Sequence, residues 1–215
     1  AGWYTAENNF AYYGEENGKS RARELVRDAL QKADEQVDYS QYDNDENGAV
    51  DGIIIIHSGP GAEEGGRREY IWSHRWTVPF ASYDNTFIFD YTIQPETRSA
   101  RYGGDVGIGI FCHEFGHLLG LPDLYDTDSR NGSSHGIGEW GLMGSGGWLG
   151  LEDYPAGLSA WSKERLGWIT PRDITTQYGN FTLRPAHAHA DFYRIETGQQ
   201  GEYFLLENRQ KVGYD

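Results

Sequence analysis

The sequence predicts an α/β fold, with a layered first lobe followed by a less regular second one. Three observations carry that prediction. Apolar residues recur at helical spacing from Ser20 to about Val37, the run Val50 to Ile56 reads as a strand buried on both faces, and a second apolar helical stretch runs from Val106 to Leu121. Strands alternating with helices ahead of a long loop are the pattern of a sheet layered with helices. The 215 residues suffice for one domain with two lobes, an upper one over about 1–120 and a lower one over about 121–215.

Residues 1–19, rich in Tyr, Asn, Glu and Gly, have no period and read as an irregular lead-in packed by aromatics. The first helix follows, with Ser20 as its N-cap and Ala22, Leu25, Val26, Ala29, Leu30 and Ala33 on its apolar face. The strand 50–56 ends at the turn-forming Ser58-Gly59-Pro60-Gly61. Beyond a Gly/Glu/Arg-rich loop, Tyr70 to Trp76 and Phe87 to Ile93 read as strands. Residues 126–150 form a long Gly/Ser/Asp-rich loop, and loops of that length in compact domains tend to be functional. Pro155 to Trp168 returns to helical spacing, and strands are expected near 181–185, 191–196 and 202–207.

Composition excludes several classes of partner. A formal charge of −15, from 33 acidic and 18 basic residues, opposes binding to nucleic acid or to an anionic membrane. No apolar run approaches the ~20 residues of a membrane span. The 15 Tyr and 7 Trp supply enough apolar bulk for folding. The single Cys112 allows no internal disulfide, and its place in an apolar run makes it a core thiol.

Residues 113–123 read His-Glu-Phe-Gly-His-Leu-Leu-Gly-Leu-Pro-Asp. On a helix, His113 and His117 lie one turn apart on one face and can offer two imidazoles to a single metal, with Glu114 beside them. Gly120 can take the left-handed conformation that ends the helix, and Pro122 prevents its return, so Asp123 is carried back toward the histidines. Two nitrogens and a carboxylate oxygen suit Zn2+ with one open position for water. Asp126, about one turn further on, is the alternative third ligand if the turn after Gly120 is shallower. In this chemistry Glu114 is the general base, taking a proton from the activated water and passing it to the leaving amine. The only methionine, Met143, sits in the glycine-lined stretch Gly141-Leu142-Met143-Gly144-Ser145-Gly146, which can form a tight turn beneath the ligands.

A second cation is expected at residues 43–51, Asp-Asn-Asp-Glu-Asn-Gly-Ala-Val-Asp. Asp43, Asp45, Asn47 and Asp51 fall at alternating positions of an EF-hand-like loop, Gly48 makes its sharp turn, and Ala49 can offer a carbonyl to Ca2+. The pattern departs from the EF-hand at Ile54, where a bidentate Glu belongs.

The extended zinc motif with a Met-containing turn resembles the metzincin clan of metallopeptidases, with Asp123 at the third-ligand position where most of that clan has His. More narrowly, 113–126, 138–148, 155–168, 71–76 and 203–210 resemble the immune inhibitor A family, peptidase family M6. The resemblance implies a two-lobed metzincin-like catalytic domain whose twisted, mostly parallel sheet carries a backing helix and an active-site helix. It also implies a secreted zinc endopeptidase acting on protein or peptide substrates, made as a precursor with a propeptide and further C-terminal domains. Some metzincins place a Tyr two residues after the Met; here that residue is Ser145, so Tyr203 and His135 become the candidate donors. Two other readings stand beside this one. In the first, a downstream Glu such as Glu139 or Glu164 replaces Asp123 as ligand; in the second, the fold serves as a calcium-stabilised, non-catalytic binding domain.

Overall fold

The computed structural model describes residues 2–14, 19–65, 67–128 and 130–214. The chain divides into two compact units, Ala1–Leu118 and Leu119–Asp215.

In the first unit, Asn9 caps the short helix α1 (Phe10–Tyr13) by accepting from the Tyr12 amide at 3.1 Å. Helix α2 (Lys19–Ala33) buries Ala22, Val26 and Leu30, which recur every fourth residue as an amphipathic helix requires. The expected cap at Ser20 falls on a side chain outside the described residues. Strands β1 (Ile53–Pro60), β2 (His74–Tyr83) and β3 (Thr86–Thr97) form one sheet in the order β1-β3-β2. Helix α2 packs on β2, and Val26 and Leu30 share a core with Val50, Val78, Ile88, Tyr91 and Ile93.

Two expectations fail in this sheet. The isoleucine run is not buried on both faces: β1 is an edge strand, and Ile54 and Ile56 are 47% and 48% exposed. Four consecutive β-branched residues here reflect fit to a pleated strand rather than two-sided burial. Nor is the sheet mostly parallel, since β1 pairs parallel with β3 and β2 pairs antiparallel. The cause is local. Asp84 and Asn85, at φ of 51° and 61°, form a two-residue turn with both residues left-handed, and such a turn joins antiparallel neighbours. Strand β2 begins at His74, so that only 74–76 of the expected segment 70–76 is strand, and runs on to the turn at Tyr83, while β3 extends past both ends of 87–93.

Helix α3 (Ile108–Leu118) packs against β3 and β2. In the second unit, 3-10 turns at Gly138–Trp140 and Ser145–Trp148 precede helix α4 (Ala160–Arg165). Ser159 caps α4 by accepting from the Ser162 amide, and Gly167 at φ 71° follows its end, so the helix is shorter than the predicted 155–168. Strands β4 (Arg172–Asp173), β5 (Tyr193–Glu196) and β6 (Tyr203–Leu206) make a second sheet, again with one parallel and one antiparallel pairing. The strand expected near 181–185 reduces to a single bridge between Pro185 and Asn208.

Candidate metal centre

Helix α3 carries His113 and His117 one turn apart, and their ring centroids lie 4.9 Å from each other at 88°. The helix ends at Leu118, and Gly120 takes φ 90°, a left-handed backbone that other residues adopt only with strain. The chain then turns through buried Leu121 and brings Asp123 back to the histidines. One ligand atom from each of His113, His117 and Asp123 lies within 4.8 Å of the other two. Glu114, next to His113, is 6% exposed. Among the described residues, no other group of three His, Cys, Asp or Glu side chains gathers this tightly.

Asp126 is engaged elsewhere. Its Oδ1 accepts from the Asp128 amide at 2.9 Å and its Oδ2 from the Ser134 amide at 3.1 Å, closing the loop on itself. Glu139 is exposed, and the Glu164 oxygens accept from Arg194 at 3.2 Å and from the Tyr203 hydroxyl at 3.4 Å. Tyr203, one of the two candidate donors, therefore spends its hydroxyl on Glu164. His135 is exposed. Burial pushes the Cys112 thiol up, away from the thiolate that a metal ligand needs.

The stretch around Met143 is a closed turn. The Gly144 and Gly146 amides both donate to the Gly141 carbonyl, at 2.9 and 3.2 Å, and a Cβ on Gly146 would stand 2.6 Å from that oxygen. Met143 is fully buried, and its carbonyl accepts from the Leu124 amide at 2.7 Å. The Leu124 carbonyl in turn accepts from the Ile137 amide at 2.9 Å, so the peptides on both sides of Leu124 are held. A Cβ on Gly136, at φ 57°, would overlap that carbonyl. This close approach was not foreseen from the sequence, where Gly136 reads only as one more loop glycine.

The loop at 43–51 turns its oxygens inward. Asp43 accepts from the Asn47 amide at 3.0 Å and from the Gly48 amide at 2.9 Å, while Asn47 accepts from Ala49 at 2.9 Å. Asp51 accepts from the Asn44 amide at 3.4 Å. Gly48 takes φ 87°. These side chains build an Asx-rich turn whose end is tied to β3, since the Val50 amide donates to the Phe87 carbonyl at 2.8 Å. His57 and His74, which end or interrupt apolar runs in the sequence, serve the core: His57 Nδ1 meets the Ser58 carbonyl at 3.1 Å, and His74 lies between the Trp72 carbonyl and the Tyr91 hydroxyl.

A family model described as "Immune inhibitor A peptidase M6, catalytic domain" matches residues 1–169. The pre-pro-metalloprotease PrtV of Vibrio cholerae serotype O1 (strain M66-2) is 34% identical over 203 residues, covering 77% of this chain and 21% of the relative. Immune inhibitor A of Bacillus thuringiensis subsp. alesti is 37% identical over 185 residues, covering 69% of this chain and 26% of the relative. The chain thus spans only about a fifth to a quarter of the length of these curated relatives. With its helix-borne histidines and returning aspartate, the chain belongs to the immune inhibitor A peptidase M6 family and corresponds over most of its length to that family's catalytic domain.

Proposed function

We propose that this chain is the catalytic domain of a secreted zinc-dependent endopeptidase that hydrolyses peptide bonds of protein substrates. The observation that carries the reading is the convergence of His113, His117 and Asp123 within 4.8 Å beside the buried Glu114. Two imidazole nitrogens and one carboxylate oxygen form a donor set that would hold Zn2+. A zinc ion held by His113, His117 and Asp123 would supply Lewis acidity. Glu114 accepts the proton of the attacking water and delivers it to the departing amine, so no covalent acyl-enzyme is needed. Buried Met143 and its turn support the segment that bears Asp123, in the manner of a metzincin Met turn. The relatives' names and greater length support a longer precursor with a propeptide and further domains.

Ca2+ at Asp43, Asp45, Asn47, Ala49 and Asp51 belongs to the same proposal, supported by the alternating oxygens and the left-handed Gly48. A calcium-selective chelator should then lower the melting temperature without removing zinc; an unchanged melt would exclude it.

The test of the main reading is elemental analysis of wild type and Asp123→Ala, paired with casein cleavage. Stoichiometric zinc that falls in the variant together with proteolysis is the expected result. Zinc retained in Asp123→Ala would overturn the ligand assignment, and a zinc-free, inactive wild type would overturn the function.

A further inference from the structure

Beyond β6 the chain carries a largely buried ion pair that the chemistry above does not use. Glu207 and Arg209 stand 3.5 Å apart with side chains only 15% and 8% exposed. Desolvating both charges costs about as much as their attraction returns, so such a pair is a weak device for stability alone. Its hydrogen bonds show what it holds. Glu207 Oε1 accepts from the Ala160 amide at 3.1 Å, while Arg209 donates through Nη1 to the Leu158 carbonyl and through Nη2 to the Gly157 carbonyl, each at 3.4 Å.

The clamped segment is the one against which the methionine turn is built. The Gly157 carbonyl also accepts from the Leu142 amide at 3.2 Å, and the Ala156 amide donates to the Gly146 carbonyl at 2.9 Å. These two bonds hold the turn from both ends. From the turn, the Met143 carbonyl takes the Leu124 amide, one peptide after Asp123. A continuous series of bonds therefore runs from the Arg209 guanidinium through Gly157, the methionine turn and Leu124 to Asp123.

We propose that the Glu207–Arg209 pair is a positioning device for the third metal ligand, holding the 157–160 segment so that the Met143 turn presents Leu124, and with it Asp123, at the required place. The proposal rests on the reading of Asp123 as a ligand. It explains the use of Arg: a planar fork bonds two successive carbonyls while facing a carboxylate, and a lysine ammonium cannot reproduce that geometry.

The experiment measures Zn(II) affinity by competition with a chromophoric chelator for wild type, Arg209→Lys and Glu207→Gln, and for each variant combined with Asp123→Asn. Amide exchange of Leu124 and Leu142 is followed in the metal-free proteins. Each single variant should bind Zn(II) roughly tenfold more weakly, as groups that orient ligands commonly do. Leu124 and Leu142 should exchange faster while the amides of α3 keep their rates, and on the Asp123→Asn background the additional loss of affinity should vanish. Unchanged affinity and exchange in folded Arg209→Lys would overturn the proposal. So would an undiminished further loss on the Asp123→Asn background, which would place the effect elsewhere. If both single variants fail to fold, the pair supports the fold rather than aiming a ligand, and the proposal is likewise overturned. Should Asp123→Asn alone leave Zn(II) affinity intact, the ligand assignment fails, an outcome distinct from a failure of the Leu124 and Leu142 exchange rates to respond.

Discussion

The amide of Leu124 donates to the carbonyl of Met143 at 2.7 Å, joining the residue after Asp123 to the chain's single methionine. The His113–Asp123 stretch and the glycine-rich turn around Met143 are thus one hydrogen-bonded assembly rather than two neighbouring motifs.

Gly136 is where that assembly is most exposed to substitution. In Gly136→Ala the new Cβ would overlap the Leu124 carbonyl as well as strain a backbone at φ 57°. Gly138 has nearly the same φ, 56°, but open space around its Cβ position. Gly138→Ala should therefore cost only about 1–2 kcal/mol, the strain of a left-handed residue. Gly136→Ala should cost more and weaken Zn(II) binding; chemical denaturation and a chelator competition on the two variants will separate strain from displacement, and equal behaviour would refute the close-contact argument.

Met143 is fully buried. Met143→Ala should destabilise the protein by about 2–5 kcal/mol, while Met143→Leu, which conserves volume, should cost less than about 1.5 kcal/mol. Denaturation midpoints will show the difference. A large loss in the leucine variant would mean that the sulfur itself matters, not only the volume.

Glu114→Gln keeps the size of the buried side chain and removes the base. Zinc content should stay at the wild-type level while casein cleavage falls by about 10²–10⁴-fold, the usual worth of a general acid-base group. Wild-type turnover in this variant would eliminate Glu114 from the mechanism.

Glu63 gives a pH dependence that does not involve the metal. Its carboxyl accepts from the Ser73 amide at 3.1 Å and from the Ser73 hydroxyl, and desolvation pushes its pKa above the ordinary 4.5. A carboxylate whose pKa is raised by folding contributes stability below its unfolded pKa and loses it as pH rises through the folded value. Glu63→Gln should therefore match wild type in acid and become the more stable protein as pH climbs above that range. Melting temperatures of the two proteins across the acid-to-neutral range test this, and a constant difference would show that Glu63 does not keep its raised pKa.

Parts of the structure that depend on residues a few positions apart were legible in advance. The helix spacing of His113 and His117, the break at Gly120 and the return of Asp123 all follow from local backbone rules, and the structure brings those three side chains together. The Asp84-Asn85 turn carried an equally local signal that the strand reading passed over, and with it went the antiparallel pairing of β2. The isoleucine run failed for a different reason. Whether a strand lies at the centre or the edge of a sheet depends on partners distant in sequence, and the same four residues suit either place.

By itself, then, the sequence determined the local frame of the candidate site: two imidazoles on one helix face, a glutamate beside them and a glycine that turns the chain back, since each follows from backbone geometry over a few residues. The tertiary structure alone decided which aspartate meets the histidines and which closes a loop, what Glu164 and Tyr203 bind, and how Glu207 and Arg209 reach the methionine turn. Those outcomes depend on contacts between segments far apart along the chain, and burial decides there which polar groups must find one another.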